Sequence, residues 1–154
     1  MTIQADISLK TVVAEIKMCE ANCEAFGWRV SEIDEANQTF TVTLISPADN
    51  EVYILEFKFD EYPALPYLIE FVDPETKQKA TQHAYPKCTD SFFHPNLVIC
   101  HQCSRKSYST LHKEWEIQNW RKGAGGLINL KAILDAIYFR ISDKSKSLYV
   151  GRMA

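Results

Sequence analysis

No stretch of this 154-residue chain approaches the roughly 20 consecutive apolar residues that a membrane-spanning helix needs, so the sequence predicts no contact with a membrane interior. The opening residues carry Asp6 and Glu15 and lack the basic-then-apolar pattern of a secretory leader. An excess of positive charge is also missing. Seventeen Lys and Arg against 20 Asp and Glu leave a net charge of −3, which argues against a nucleic-acid partner held through its phosphates. Arg105-Lys106 and Arg121-Lys122 are too small a group to reverse that. No internal repeat is present. The five cysteines are an odd number without a leader, which points to reduced thiols and a cytoplasmic setting rather than a disulfide framework. What remains is one globular domain over residues 1–154, long enough to bury its own core without metal or disulfide support.

Periodicity gives the outline. Leu9, Val12, Val13, Ile16, Cys19, Cys23 and Phe26 recur at helical steps, which predicts a helix over 8–26 with Ser8 as its N-cap and Gly27 as its stop. Cys19 and Cys23 on that stripe read as small apolar packing residues. A first strand follows over 28–34. Residues 39–46 and 51–59 then alternate, with Phe40, Val42 and Leu44, and next Tyr53, Leu55, Phe57 and Phe59, each sharing a face. A short fourth strand is expected over 67–72. Short turns between successive strands predict an antiparallel meander, its apolar face covered by the helix. Residues 73–93 and 101–126 lose all periodicity and read as long loops. Order returns with Asn129 as a cap and Leu130, Ile133, Leu134, Ile137, Tyr138 and Ile141 as the stripe of a second helix. The tail over 142–154 is polar and is expected to fray.

Two segments carry chemistry. Tyr62-Pro63-Ala64-Leu65-Pro66 ends the third strand rigidly, because proline fixes φ and removes ladder donors. Phe93-His94-Pro95-Asn96-Leu97-Val98-Ile99-Cys100 sets a side-chain amide and a thiol four residues apart. A thiol near an amide donor is what acyl transfer through a thioester requires: a nucleophile, and a group to stabilise the oxyanion. Cys103, seven residues after Asn96, competes with Cys100 for the nucleophile's place. His94 and Pro95 read as residues that shape the loop, whereas His101, if protonated, would lower the pKa of the neighbouring thiol. The same region also admits a metal reading. Cys88, Cys100, His101, Cys103 and His112 are five candidate ligands within 25 residues, and Cys100-x-x-Cys103 has zinc-knuckle spacing without a second matching pair. A zinc-bound Cys100 would not be a free nucleophile.

Helix, four-strand meander, Tyr-Pro exit, His-Pro-Asn-to-Cys segment, later Trp120 and closing helix, in that order across residues 8–141, resemble the ubiquitin-conjugating enzyme family. EVYILEFKFDEYPALPYLIEF at 51–71 is similar to that family's third strand, exit and fourth strand, and FHPNLVIC at 93–100 to its His-Pro-Asn and Ile-Cys segment. The chain departs from the family pattern in spacing. The interval from Asn96 to Cys100 is shorter and holds no glycine, the interval from Cys100 to Trp120 is longer, and Tyr67 stands where the family has the second proline of a pair. This resembles a divergent member, of the kind found among bacterial relatives. The resemblance implies an α+β fold with an N-terminal helix, a four-stranded antiparallel meander and a C-terminal helix. It implies a transferase that accepts a ubiquitin-like protein on Cys100 as a thioester from an activating enzyme and passes it to a lysine amine of a target, with Asn96 polarising the carbonyl. No cofactor is implied, because the activating enzyme consumes the ATP. The alternative is an inactive module of the same architecture that serves only as a protein-interaction partner.

Overall fold

A computed structural model describes residues 2–154. The first helix, α1 (Ile3–Met18), begins earlier than the periodicity predicts. Thr2 caps it, its side chain accepting from the Ala5 N–H at 3.0 Å. At Cys19 the turn tightens, the N–H bonding to Ile16 O at 2.9 Å, and a separate short helix α2 (Glu20–Phe26) follows. Gly27, at φ 72°, ends it by donating to Cys23 O. The expected cap Ser8 is a buried mid-helix residue instead. The face that α1 turns inward is Ser8, Val12, Glu15 and Cys19, whereas Val13 and Phe26 of the expected stripe lie about half exposed. Two polar residues take the place of apolar ones because their partners come from another part of the chain. Ser8 donates to the carbonyl of Tyr62, and Glu15 accepts from Tyr62, Tyr67 and Leu130.

The sheet is an antiparallel meander in the order β1 (Arg29–Val30), β2 (Thr39–Ile45), β3 (Val52–Lys58), β4 (Leu68–Val72). Register places Val42 opposite Leu55, Leu44 opposite Tyr53, Phe57 opposite Ile69 and Leu55 opposite Phe71. The alternating apolar residues of three strands therefore form one buried face. β1 is shorter than expected, with only the bridge from Asp34 to Thr39 continuing it. Pairing between β3 and β4 stops at Lys58 and Leu68, and the Tyr62–Pro66 segment turns between them. Val12 of α1, Cys19 at its end and the inner residues of the last helix, α5 (Leu130–Ile141), close over this face in one continuous core.

Between sheet and α5 the chain forms β5 (Pro86–Cys88), the hairpin β6 (Phe93–His94) and β7 (Val98–Ile99), then α3 (Arg105–Thr110) and α4 (Trp120–Gly123). α5 (Leu130–Ile141) is capped by Asn129, whose side chain accepts from the Ala132 N–H at 2.9 Å, and it buries Leu130, Ile133, Leu134, Ile137 and Ile141. The tail does not fray. Its strand β8 (Tyr149–Arg152) pairs antiparallel with β5. Asp143 accepts from the Leu148 and Tyr149 N–H groups, and the buried Tyr149 hydroxyl meets that of Tyr53 at 2.6 Å. Among the described residues no helix is long and apolar enough to cross a membrane.

Candidate active site

The β6–β7 hairpin pairs Phe93 with Ile99 and His94 with Val98, and turns through Pro95-Asn96-Leu97. Burial of Phe93, Val98 and Ile99 anchors it to the core, and Tyr85 Oη donates to Leu97 O at 2.8 Å. His94 shapes the tip, its Nδ1 accepting from the Asn96 N–H at 3.0 Å. Cys100 extends the ladder by one residue, donating its N–H to Phe92 O at 2.8 Å. The chain then turns away through His101, whose Nδ1 accepts from the Cys103 N–H at 3.0 Å.

Cys100 stands half-buried at this strand end, and burial holds its thiol above the ordinary range, so the resting sulfur is protonated. Its side chain lies 3.5 Å from His112 Nε2, within hydrogen-bonding reach of a sulfur. The other ring nitrogen of His112, Nδ1, is 3.1 Å from Glu114 Oε1. The His112 imidazole also lies flat on Trp115, with ring centroids 3.8 Å apart and planes 13° from parallel. One reverse turn supplies all three: the Trp115 N–H bonds back to His112 O at 3.1 Å, folding Glu114 and Trp115 against the ring.

That turn is moored through α3. Arg105, at the helix start, donates to Asp60 Oδ1 at 2.8 Å, to Pro66 O at 3.0 Å and to Asp60 O, while its own N–H bonds to Tyr67 O at 3.0 Å. The rigid exit of β3 is thus the abutment on which α3 sits. Tyr108 of α3 donates to Gln102 O at 2.8 Å and meets Trp115 edge-on at 5.7 Å. Trp120 is buried and donates its Nε1–H to Pro63 O at 3.0 Å. Gln102 crosses Gly123 so closely that a β-carbon there would come within 1.8 Å of its Oε1.

Not every expected residue gathers here. Asn96 is exposed in the hairpin turn, beyond the His94–Val98 pair, whereas Cys100 lies at the other end of the ladder, beyond Phe93–Ile99. Cys103 is fully buried with its thiol pushed up to about 12 by burial, which removes it as a nucleophile accessible to a partner. His101 is held below its usual range by burial and by Arg140, so it stays neutral beside the thiol. No three His, Cys, Asp or Glu side chains among the described residues converge closely enough to hold a metal ion, so the Cys100–Cys103 pair does not grow into a zinc site. From the sequence His112 reads only as a possible metal ligand and Arg105 only as part of a small basic group, and nothing singles out Glu114. The signal for His112 and Glu114 is a histidine with a carboxylate two residues on, too common a pattern to single out. No known family model and no curated protein matches the chain.

Proposed function

We propose that this protein is a carrier of a ubiquitin-like protein, built on the fold of the ubiquitin-conjugating enzymes. It accepts that protein's C-terminal acyl group as a thioester on Cys100 from an activating enzyme and transfers it to an amine, commonly a lysine of a target protein. The observation that carries the reading is the half-buried Cys100 thiol at the end of the β6–β7 hairpin, with an imidazole in reach, placed after an antiparallel meander that closes in a Tyr-Pro-x-x-Pro exit. A thioester carrier must hold a nucleophile that two successive protein partners can approach. Of the cysteines that follow the sheet, Cys88 and Cys103 are buried and only Cys100 offers that access. Such chemistry suits a cytoplasmic setting, where thiols remain reduced.

A second reading is favoured by one feature: the exposed position of Asn96 in the hairpin turn, at the opposite end of the ladder from Cys100, fits a module that keeps the architecture and has lost amide-assisted transfer. Incubation with an activating enzyme, ATP and a ubiquitin-like protein separates the two. The carrier gives an adduct that a reductant removes and that Cys100→Ser abolishes or converts to a reductant-resistant ester. A folded chain that is never loaded across a panel of such systems is a binding module.

A further inference from the structure

His112 is the only hydrogen-bond partner of the Cys100 sulfur among the described residues. Both of its ring nitrogens are engaged, and that settles how it is protonated when neutral. An ionised carboxylate can only accept, so the Nδ1 facing Glu114 carries the hydrogen and the Nε2 lone pair faces the thiol. Glu114 is ionised at neutral pH, held below its usual range by a backbone N–H and by His112. Stacking on Trp115 fixes the plane of the ring, and the backbone of His112 is tied down by its N–H to Ser107 O at 3.0 Å. Nucleophile, base and orienting group are thus arranged as in enzymes that activate a thiol through a histidine.

We propose that Cys100 and His112 form a nucleophile–base pair, with Glu114 and Trp115 as positioning residues, and that His112 moves the proton in both halves of an acyl transfer. For its substrate this rests on the carrier reading above. In the first half the sulfur attacks the incoming acyl carbon, the C–S bond forms, and His112 Nε2 takes the thiol proton. The leaving group departs with its electron pair and receives that proton. In the second half a neutral amine attacks the thioester carbon, the C–N bond forms and the C–S bond breaks. The sulfur leaves with the electron pair, His112 takes the proton from the amine nitrogen, and the thiolate recovers it. A base supplied within the chain answers the problem posed by a thiol that burial keeps protonated. Around the pair stand Glu114 and Lys113 on the same turn, the neutral His101 next to Cys100 in the chain, and Arg140 of α5, which stacks at 3.8 Å on Phe92, the residue whose carbonyl accepts from the Cys100 N–H, and pairs with Asp90.

Alkylation of Cys100 by iodoacetamide in the full chain, followed by mass mapping across about pH 5–9, reads the pair without any carrier partner. At neutral pH the wild type is expected to react at least about tenfold faster than His112→Gln, whose profile rises only with the free thiol. Glu114→Gln should slow the wild-type rate by about two- to fivefold, since the carboxylate is well exposed. Added imidazole should accelerate His112→Gly and leave the wild type unchanged, a rescue that a loss of folding would not show. Superimposable profiles for wild type and His112→Gln, or a deficit that imidazole does not relieve, overturn the pair. If the profiles separate but no activating enzyme loads Cys100, the carrier reading fails and the pair stands. If loading occurs and His112→Gln discharges to free lysine as fast as wild type, the carrier stands and the proton role is refuted.

Discussion

Replacing Glu15 by alanine should be the most damaging single change in the molecule outside the aromatic core. This carboxylate is 7% exposed and accepts three hydrogen bonds: Oε1 from the Leu130 N–H at 2.7 Å and from Tyr67 Oη at 3.1 Å, and Oε2 from Tyr62 Oη at 2.6 Å. Alanine leaves all three donors without their acceptor. Tyr62 retains a long contact to Ile128 O at 3.4 Å, so two donors are stranded in the interior. At about 1–3 kcal/mol for each stranded group, and with a small cavity besides, the loss should be about 3–5 kcal/mol. For a domain of this size that corresponds to a melting temperature lower by roughly 10–15 °C. Glu15→Gln keeps an acceptor for Leu130 and Tyr67 and turns an amide N–H toward Tyr62, so it should cost only about 1 kcal/mol at neutral pH. Burial raises the folded-state pKa of Glu15 despite its donors. A raised carboxyl favours the fold fully below the unfolded value of about 4.3, and this contribution is lost as pH rises through the folded value. Urea titrations between mildly acidic and neutral pH should therefore show the wild type losing stability relative to Glu15→Gln as pH rises. An alanine variant within about 1 kcal/mol of wild type, or parallel pH curves for wild type and Glu15→Gln, would refute this account of the buried cluster.

Limited iodoacetamide should label Cys100 first and the half-buried Cys23 more slowly, while Cys19, Cys88 and Cys103, each buried with its thiol pushed up to about 12, should react only on unfolding. Peptide mapping over time checks the order, and early label on Cys103 would contradict it. Arg105→Ala removes the mooring of α3 to the β3 exit and should cost about 1–3 kcal/mol by urea denaturation, with faster amide exchange in α3. Arg105→Lys should restore only part, because an ammonium cannot span the Asp60 and Pro66 acceptors as the planar guanidinium does. Equal stability of the alanine variant and wild type would show that α3 is held by other contacts.

The central sheet was legible because β2 and β3 alternate over seven residues with nothing to interrupt them, and α5 because its stripe and its Asn129 cap agree. α1 was legible in position but not in orientation. Its inward face includes Ser8 and Glu15, whose partners lie on the Tyr62–Tyr67 segment and at the start of α5, and no local pattern marks a polar residue as buried. β8 escaped notice for a related reason: its pairing partner β5 lies some sixty residues upstream, and each strand alone is too short to alternate visibly. At the candidate site Cys100 could be picked out by the company of Ile99 and the His-Pro-Asn run. His112 could not, because its approach to Cys100 depends on α3 being seated by Arg105, through contacts to residues 39 and 45 positions away.

The meeting of Gln102 with Gly123 has a bearing on how this protein can vary through descent. The segment between them starts and ends at almost the same point, and it returns to the core at Cys103, Tyr108 and Trp120, so only its exposed stretches are free to change length. Closing such a segment becomes only about 0.6 kcal/mol harder for each doubling of its length. Lineages can therefore gain or shed residues in the exposed stretches between these anchors without disturbing the core. Position 123 is coupled to position 102: a side chain there requires the end of Gln102 to swing aside or a shorter residue at 102. Correlated change at those two sites, beside variation in length in the exposed stretches between them, is the signature to look for among related sequences.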